Sequence, residues 1–189
     1  MPIAINGSGT VTGISVGGLP DGIVDGDTLA SGVGGKILQV KQALKTDVFS
    51  TSSTSFTDIT GLSVDITPSA SSSKILVSFD VAVGHDAATQ HTVQLVRQVS
   101  SSDTIINPVA YNQGTTLQYN SYSNDAAELG WDREKLTYQC IDSPATTAAV
   151  NYRLRTYIYS ASKIQYINRC HNSSNATGTS TLIVMEVAA

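Results

Sequence analysis

Lys74-Ile-Leu-Val-Ser-Phe-Asp-Val-Ala-Val83 is the stretch that decides the fold. Ile75, Val77, Phe79, Val81 and Val83 recur at every second position, with Ser78 and Asp80 between them. Successive side chains of a strand point to opposite faces, so this period predicts a strand with one face on a core. Just upstream, Phe56 to Thr67 repeats the pattern. Leu62, Val64 and Ile66 share one face against Ser63, Asp65 and Thr67, and Gly61 marks a bulge or bend. Pro68 to Ser73 then reads as the loop joining the two strands.

Working outward, His91–Val99 has Val93, Leu95 and Val99 in phase, and Lys135–Ile141 has Leu136, Tyr138 and Cys140. Ala149–Tyr159 alternates Val150, Tyr152, Leu154, Thr156 and Ile158 with Asn151, Arg153, Arg155, Tyr157 and Tyr159. The closing Thr179–Val187 is apolar on both faces. It predicts a central strand buried on both sides, with its second face in a subunit interface. No segment has helical periodicity beyond a single turn at Asp125–Leu129 or Asp27–Ala30. Short strands separated by Ser, Gly and Asn turns predict an all-β protein, an antiparallel β-sandwich of jelly-roll type. Residues 84–90, 100–125 and 142–148 are predicted as loops at its ends, where binding usually resides.

Composition agrees. Ser and Thr make up about a quarter of the chain, well above the usual share, and charged residues are only 14% of the 189. Thr, Val, Ile and Tyr suit a pleated surface, and Ser, Gly and Asn suit turns. The formal net charge is −4 and no basic run exists, so nucleic-acid binding is not expected. Arg153 and Arg155 share one strand face and read as solvated. No run approaches the ~18 consecutive apolar residues of a membrane span. Met1-Pro-Ile-Ala-Ile-Asn6 has no basic region followed by an apolar one, so no signal peptide is expected. Synthesis in a cytoplasm is expected, with any external role reached by another route, such as lysis. The sequons at Asn6, Asn172 and Asn175 then carry no weight.

Residues 1–34 differ from 35–189. They are rich in Gly, carry Asp21, Asp25 and Asp27 with no Lys or Arg, and place Val11, Ile14, Val16, Leu19, Ile23, Val24, Leu29 and Val33 singly. Such a segment cannot bury its own apolar residues but can bury them against copies of itself. It reads as an extended attachment and trimerisation segment, the alternative being an unstructured tail. The sandwich domain is assigned to 35–189.

Candidate chemistry is sparse. Glu128, Asp132 and Glu134 surround Trp131, and paired carboxylates beside an aromatic suit glycoside hydrolysis. Their spacing gives no reason for the needed separation, so a solvated loop is expected instead. His85, Asp86 and His91 are metal-ligand types without a matched further ligand. Asp21 to Asp27 lacks the spacing, glycine and closing Glu of a calcium loop. Neither a Gly-x-Ser-x-Gly elbow nor a P-loop is present. No metal, cofactor or enzymatic activity is expected. Cys140 and Cys170 read as separate buried thiols, with pairing between adjacent strands the alternative.

The eight tyrosines are more informative. Tyr152 falls in core phase, while Tyr157 and Tyr159 take the polar face. Tyr111, Tyr119 and Tyr122 stand in the long loop region beside Asn112, Gln113, Asn120 and Asn124. Tyr with Asn, Gln and Ser is the palette of recognition surfaces, although tyrosines also pack loops onto a sandwich. Tyr111, Asn112, Tyr119, Tyr122 and Trp131 are the receptor-binding candidates.

Gly35-Lys-Ile-Leu-Gln-Val-Lys41, Phe49 to Pro68, Ser72 to Val77, Asp142-Ser-Pro-Ala-Thr-Thr147 and Ser180 to Ala188 together resemble the C-terminal domain of phage tail-fibre proteins, especially those of cyanobacterial phages. Ile14 to Asp25 is similar to the lead-in that often precedes this domain. The resemblance implies a homotrimer, a place in the virion tail, docking to other tail or baseplate proteins through the N-terminal segment, and recognition of a host-surface glycan or protein. The alternatives are a purely structural tail, baseplate or decoration protein, and a glycan depolymerase. The chain departs from longer fibres in having almost no shaft.

Overall fold

The structure is a computed structural model that describes residues 36–85, 90–106, 117–120, 133–173 and 178–189. The fold below is that of the compact unit Ile37–Ala189. The strands are β1 (Ile37–Lys45), β2 (Phe49–Thr51), β3 (Thr57–Ile66), β4 (Lys74–His85), β5 (Gln90–Val99), β6 (Ser102–Ile105), β7 (Leu117–Asn120), β8 (Arg133–Asp142), β9 (Val150–Thr156), β10 (Gln165–Ile167) and β11 (Ser180–Val187).

They form two antiparallel sheets. In the first, β4 pairs with β8 on one side. On the other side it pairs with β11, which continues to β1, and then with β10, which continues to β2. The second runs β3-β9-β5-β6, with β7 pairing the start of β5. Of the long strands, β1, β4, β8 and β11 lie in the first sheet and β3, β5 and β9 in the second. The connections β3–β4, β4–β5, β8–β9 and β9–β10 therefore each cross from sheet to sheet, as in a jelly roll. The antiparallel sandwich predicted from the alternation is the observed fold.

The core lies where the alternation put it. Ile75, Val77, Phe79, Val81 and Val83 of β4 meet Leu62, Val64 and Ile66 of β3, Val93 and Leu95 of β5, and Val150, Tyr152 and Leu154 of β9, all buried. Burying each such aliphatic side chain is worth about 1.5–3 kcal/mol. Gly61 is a bend, with φ of 85°. Four residues of β3, 59–62, stand opposite Leu154 alone, which turns both Ile59 and Leu62 inward.

Two expectations need correction, and the face of β11 expected in a subunit interface is the one this chain leaves half covered. The face of β11 carrying Ser180, Leu182, Val184 and Glu186 is buried, but the face carrying Thr181, Ile183, Met185 and Val187 is only half covered. β11 is central in its sheet, yet this chain alone does not cover its second face. Next, β6 and β7 lie within the stretch predicted as the 100–125 loop. They are four-residue, largely polar strands whose pairing with β5 does not rest on apolar alternation. Finally, β9 ends at Thr156. There the hydroxyl of Thr156 donates to the Thr92 carbonyl (2.6 Å), with the Gln165 side-chain amide 2.8 Å from the same oxygen, and the chain turns away before Tyr157. β1, β2 and β10 carry no alternation that singles them out.

Both ends of the core are closed by buried polar groups. At one end the Glu186 carboxylate accepts hydrogen bonds from the Ser69 amide and hydroxyl (2.7 Å each) and from Nε2 of Gln39 (2.6 Å). Beside it Arg97 bonds both oxygens of Asp142 (2.8 and 2.9 Å), and the Tyr152 hydroxyl donates to Oδ2 (2.6 Å). This clamp ties β8 of one sheet to β5 and β9 of the other. At the opposite end Asn168, at φ of 66°, donates to the carbonyls of Lys45 (2.9 Å) and Asp47 (3.0 Å) and accepts from the Ser180 hydroxyl (2.6 Å). The stem of Lys45 is buried under Gly61 and its amino group reaches Oδ2 of Asp47 (2.8 Å).

Candidate recognition site

The strand registers give the sandwich two unlike poles. The proximal pole holds the start of β1 at Ile37, the end of β11 at Val187 and the start of β4 at Lys74, with Asp142 beside them. The β3–β4 loop, the β8–β9 loop and the tight β5–β6 turn lie there too. The segment before Lys36 therefore joins the sandwich at this pole. The distal pole holds the end of β4 at His85, the starts of β5 and β8, the end of β7, and β10 with β2. Residues 86–89 and 121–132 join the sandwich there.

The described part of the distal pole is aromatic and hydroxyl-rich. Phe56, just before β3, and Tyr157, just after β9, meet edge-on with ring centroids 4.8 Å apart. Ile158 is buried and its amide donates to the Ser53 carbonyl (2.9 Å). That anchor pushes Tyr159 outward, 65% exposed. Ser53 donates to the Ser55 carbonyl (2.7 Å), and the hydroxyls of Ser160 and Ser162 lie 3.0 Å apart. On the outer side of β10, in the other sheet, the Arg169 guanidinium stacks 4.6 Å over the Tyr166 ring, and the Tyr166 hydroxyl sits 3.2 Å from Nδ1 of His171. Tyr166 is itself buried under Arg169, but Phe56 and Tyr159 are exposed, and such faces beside hydroxyls can stack on a saccharide ring and bond its hydroxyls.

Of the sequence candidates, Tyr111, Asn112, Tyr122 and Trp131 lie outside the described residues, as do Glu128 and Asp132. Tyr119 lies on β7, opposite His91 on β5. Glu134 stands on β8 opposite Val83, on the core-facing side. His85 ends β4 in one sheet and His91 lies on β5 in the other. No group of three or more potential metal ligands occurs among the described residues. Both cysteines are free, Cys170 buried and Cys140 half-buried. Burial, with the nearby Asp142 charge, pushes the Cys140 thiol up, away from the reactive thiolate.

Arg153 and Arg155 lie on the outer face of the second sheet, but rather than being solvated their side chains are 13% and 21% exposed and paired with Asp58 and Asp103. Desolvation alone would raise the Asp103 carboxyl, but hydrogen bonds from Arg153 and Gln98 hold it below the usual range. Sequence reading missed the distal grouping of Phe56, Tyr157 and Tyr159, although it placed both tyrosines off the core phase. It gave no signal for Tyr166, Arg169 and His171.

No protein-family model matches this chain, and no curated protein matches it. Among solved structures it is similar to a structure of infectious bursal disease virus, Gt strain, at 13% identity and a TM-score of 0.40, covering 80% of this chain and 38% of that one. It is likewise similar to the VP2 subviral particle of infectious bursal disease virus, at 12% identity and a TM-score of 0.36, over 80% and 37% of the two chains. The chain spans under two fifths of the length of these proteins.

Proposed function

We propose that this protein is a virion component of the phage tail-fibre kind, a non-enzymatic homotrimer that attaches to a host-cell surface through its distal pole. The observation that carries this reading is the polarity of the sandwich. The segment resembling a tail-fibre lead-in joins at the proximal pole, while Phe56, Tyr157, Tyr159 and the joins of residues 86–89 and 121–132 lie at the other. A protein docked to a virion at one end presents the opposite end to the cell. Tyr111, Asn112, Tyr119, Tyr122 and Trp131 belong to the same recognition surface in this reading. Several identical weak sites on one trimer add through effective concentration.

The test is binding of fluorescently labelled full-length protein to a panel of bacterial cells, with cyanobacteria included. The expected result is saturable binding to particular strains. Tyr159→Ser should lower it at least tenfold, and Thr147→Lys at the proximal pole should leave it unchanged. Absence of binding to every strain, with full-length protein still incorporated into particles, would favour a purely structural virion role. Release of reducing sugar from the bound cells would overturn the non-enzymatic part.

A further inference from the structure

The outer face of the first sheet differs from every other described surface. Ile141 on β8 pairs with Leu76 on β4, Leu76 with Met185 on β11, and Met185 with Val40 on β1. Directly paired residues point to the same side of a sheet. These four side chains therefore form one apolar row across four strands, on the side away from the core. Ile183, Val187, Ile37 and Leu44 lie on the same face, with Leu38 at the bulge that opens β1. Val40 is 54%, Leu44 59% and Ile141 68% exposed. β1 is largely inverted relative to a normal edge strand, since its core-facing positions carry Gln39, Lys41, Ala43 and Lys45 and its outward positions carry Ile37, Val40 and Leu44 with Gln42.

We infer that this face is where copies of the chain pack against one another. The inference deepens the homotrimer part of the reading above and does not depend on host attachment. Three observations name a second copy as the occupant. The first is area. About 90 Å² from each of the five exposed aliphatics, with the half-covered Leu76, Ile183, Met185 and Val187, gives roughly 600 Å², the upper limit for one patch on a monomer and near the ~800 Å² per partner of a stable interface. The second is charge. Lys135 is paired with Asp80 and donates to the Thr179 carbonyl (2.8 Å), and the Lys74 amino group is held by the Ser143 hydroxyl (2.9 Å). The centre of the face is thus neutral within the chain. It offers nothing to select a charged partner, and it meets a copy of itself without unpaired like charge. The third is contrast, because the outer face of the second sheet is occupied by the Asp58, Asp103, Arg153 and Arg155 cluster, which has no need of cover. Packing the row around a threefold axis would leave three distal poles pointing the same way.

The test uses full-length protein and light scattering. Wild type should have three times the mass of one chain. Val40→Lys with Ile141→Lys should reduce it to the mass of one chain, with the far-ultraviolet circular dichroism spectrum unchanged. Both positions are more than half exposed, so the sandwich itself loses little. Thr60→Lys, on the second sheet, should keep the wild-type mass. A wild-type monomer, or a double variant that keeps the wild-type mass, overturns the inference. Should the double variant misfold, wild-type protein alone decides. Met185 should be oxidised by peroxide at least tenfold more slowly than free methionine, and oxidation at the free rate overturns the inference. Host attachment is read separately, so a monomer that binds cells defeats this inference while sparing attachment. A trimer closed by this face that binds no cells does the reverse.

Discussion

Replacing Glu186 with Gln removes one charge from the proximal lid of the core and changes nothing else in size. The carboxylate is buried on the core face of β11, between Gln39 of β1 and Ile75 of β4. Desolvation would raise its pKa. Hydrogen bonds from the Ser69 hydroxyl, Gln39, the Ser73 hydroxyl and the Ser69 amide outweigh that and bring it from 4.5 down to about 2. At 1.36 kcal/mol per pKa unit the displacement corresponds to about 3 kcal/mol, and screening at the rim of the site leaves about 2 kcal/mol. In the variant, the amide nitrogen faces Nε2 of Gln39, which also donates to the Thr67 carbonyl (2.7 Å) and cannot flip without losing that bond. The sign of the pH effect follows from the depressed pKa. The stabilisation is fully present above about pH 4.5 and is lost as pH falls toward about 2. Urea unfolding should therefore show Glu186→Gln about 2 kcal/mol less stable than wild type at pH 7, a melting temperature lower by about 4–8 °C. The gap should close to half or less by pH 2. A variant within 0.5 kcal/mol of wild type at pH 7, or a gap of the same size at pH 2, would refute the reasoning.

Two further substitutions test the backbone. A methyl at Gly84 would overlap the Arg169 carbonyl and press on the Cys170 Cα, where residues 168–170 cross the end of β4. Gly84→Ala should cost about 3 kcal/mol in urea unfolding, and a neutral result would mean the crossing is not so close. The two-residue β5–β6 turn sets Ser100 and Ser101 at φ of 47° and 69°, the geometry that Asn-Gly prefers and Ser tolerates poorly. The double change Ser100→Asn, Ser101→Gly should raise stability by about 1 kcal/mol, read as a higher urea midpoint with an unchanged slope.

What the sequence reveals is the part of the fold governed by alternation. β4, β3, β5, β8, β9 and β11 announce themselves because each has one face on a shared apolar core, and Gly61 announces a bend because it interrupts such a run. β1 escapes because its apolar side chains point outward, so its pattern names the wrong face. β6 escapes because it is held by pairing with β5 rather than by burial, and β7 because it is only four residues long. β10 is only three residues long, and all three are buried. Gln165 is closed in by β4, β2 and Thr156, a consequence of topology that local pattern does not carry. The recognition surface follows the same logic. Its residue palette is legible, but Phe56 meets Tyr157 only because β3 and β9 pair with Thr57 opposite Thr156.

The distal pole carries a buried polar network of its own. Asn168, Ser180, Lys45 and the Ala82 backbone are joined there. The Asn168 amide donates to the Ala82 carbonyl (2.8 Å), and the Ala82 amide donates to the Ser180 hydroxyl (3.0 Å). These bonds satisfy the buried polar groups of Asn168, Ser180 and Ala82 where β1 and β4 end and β11 begins. Asn suits φ of 66° at position 168 better than residues other than Gly, and its side chain bonds two carbonyls there.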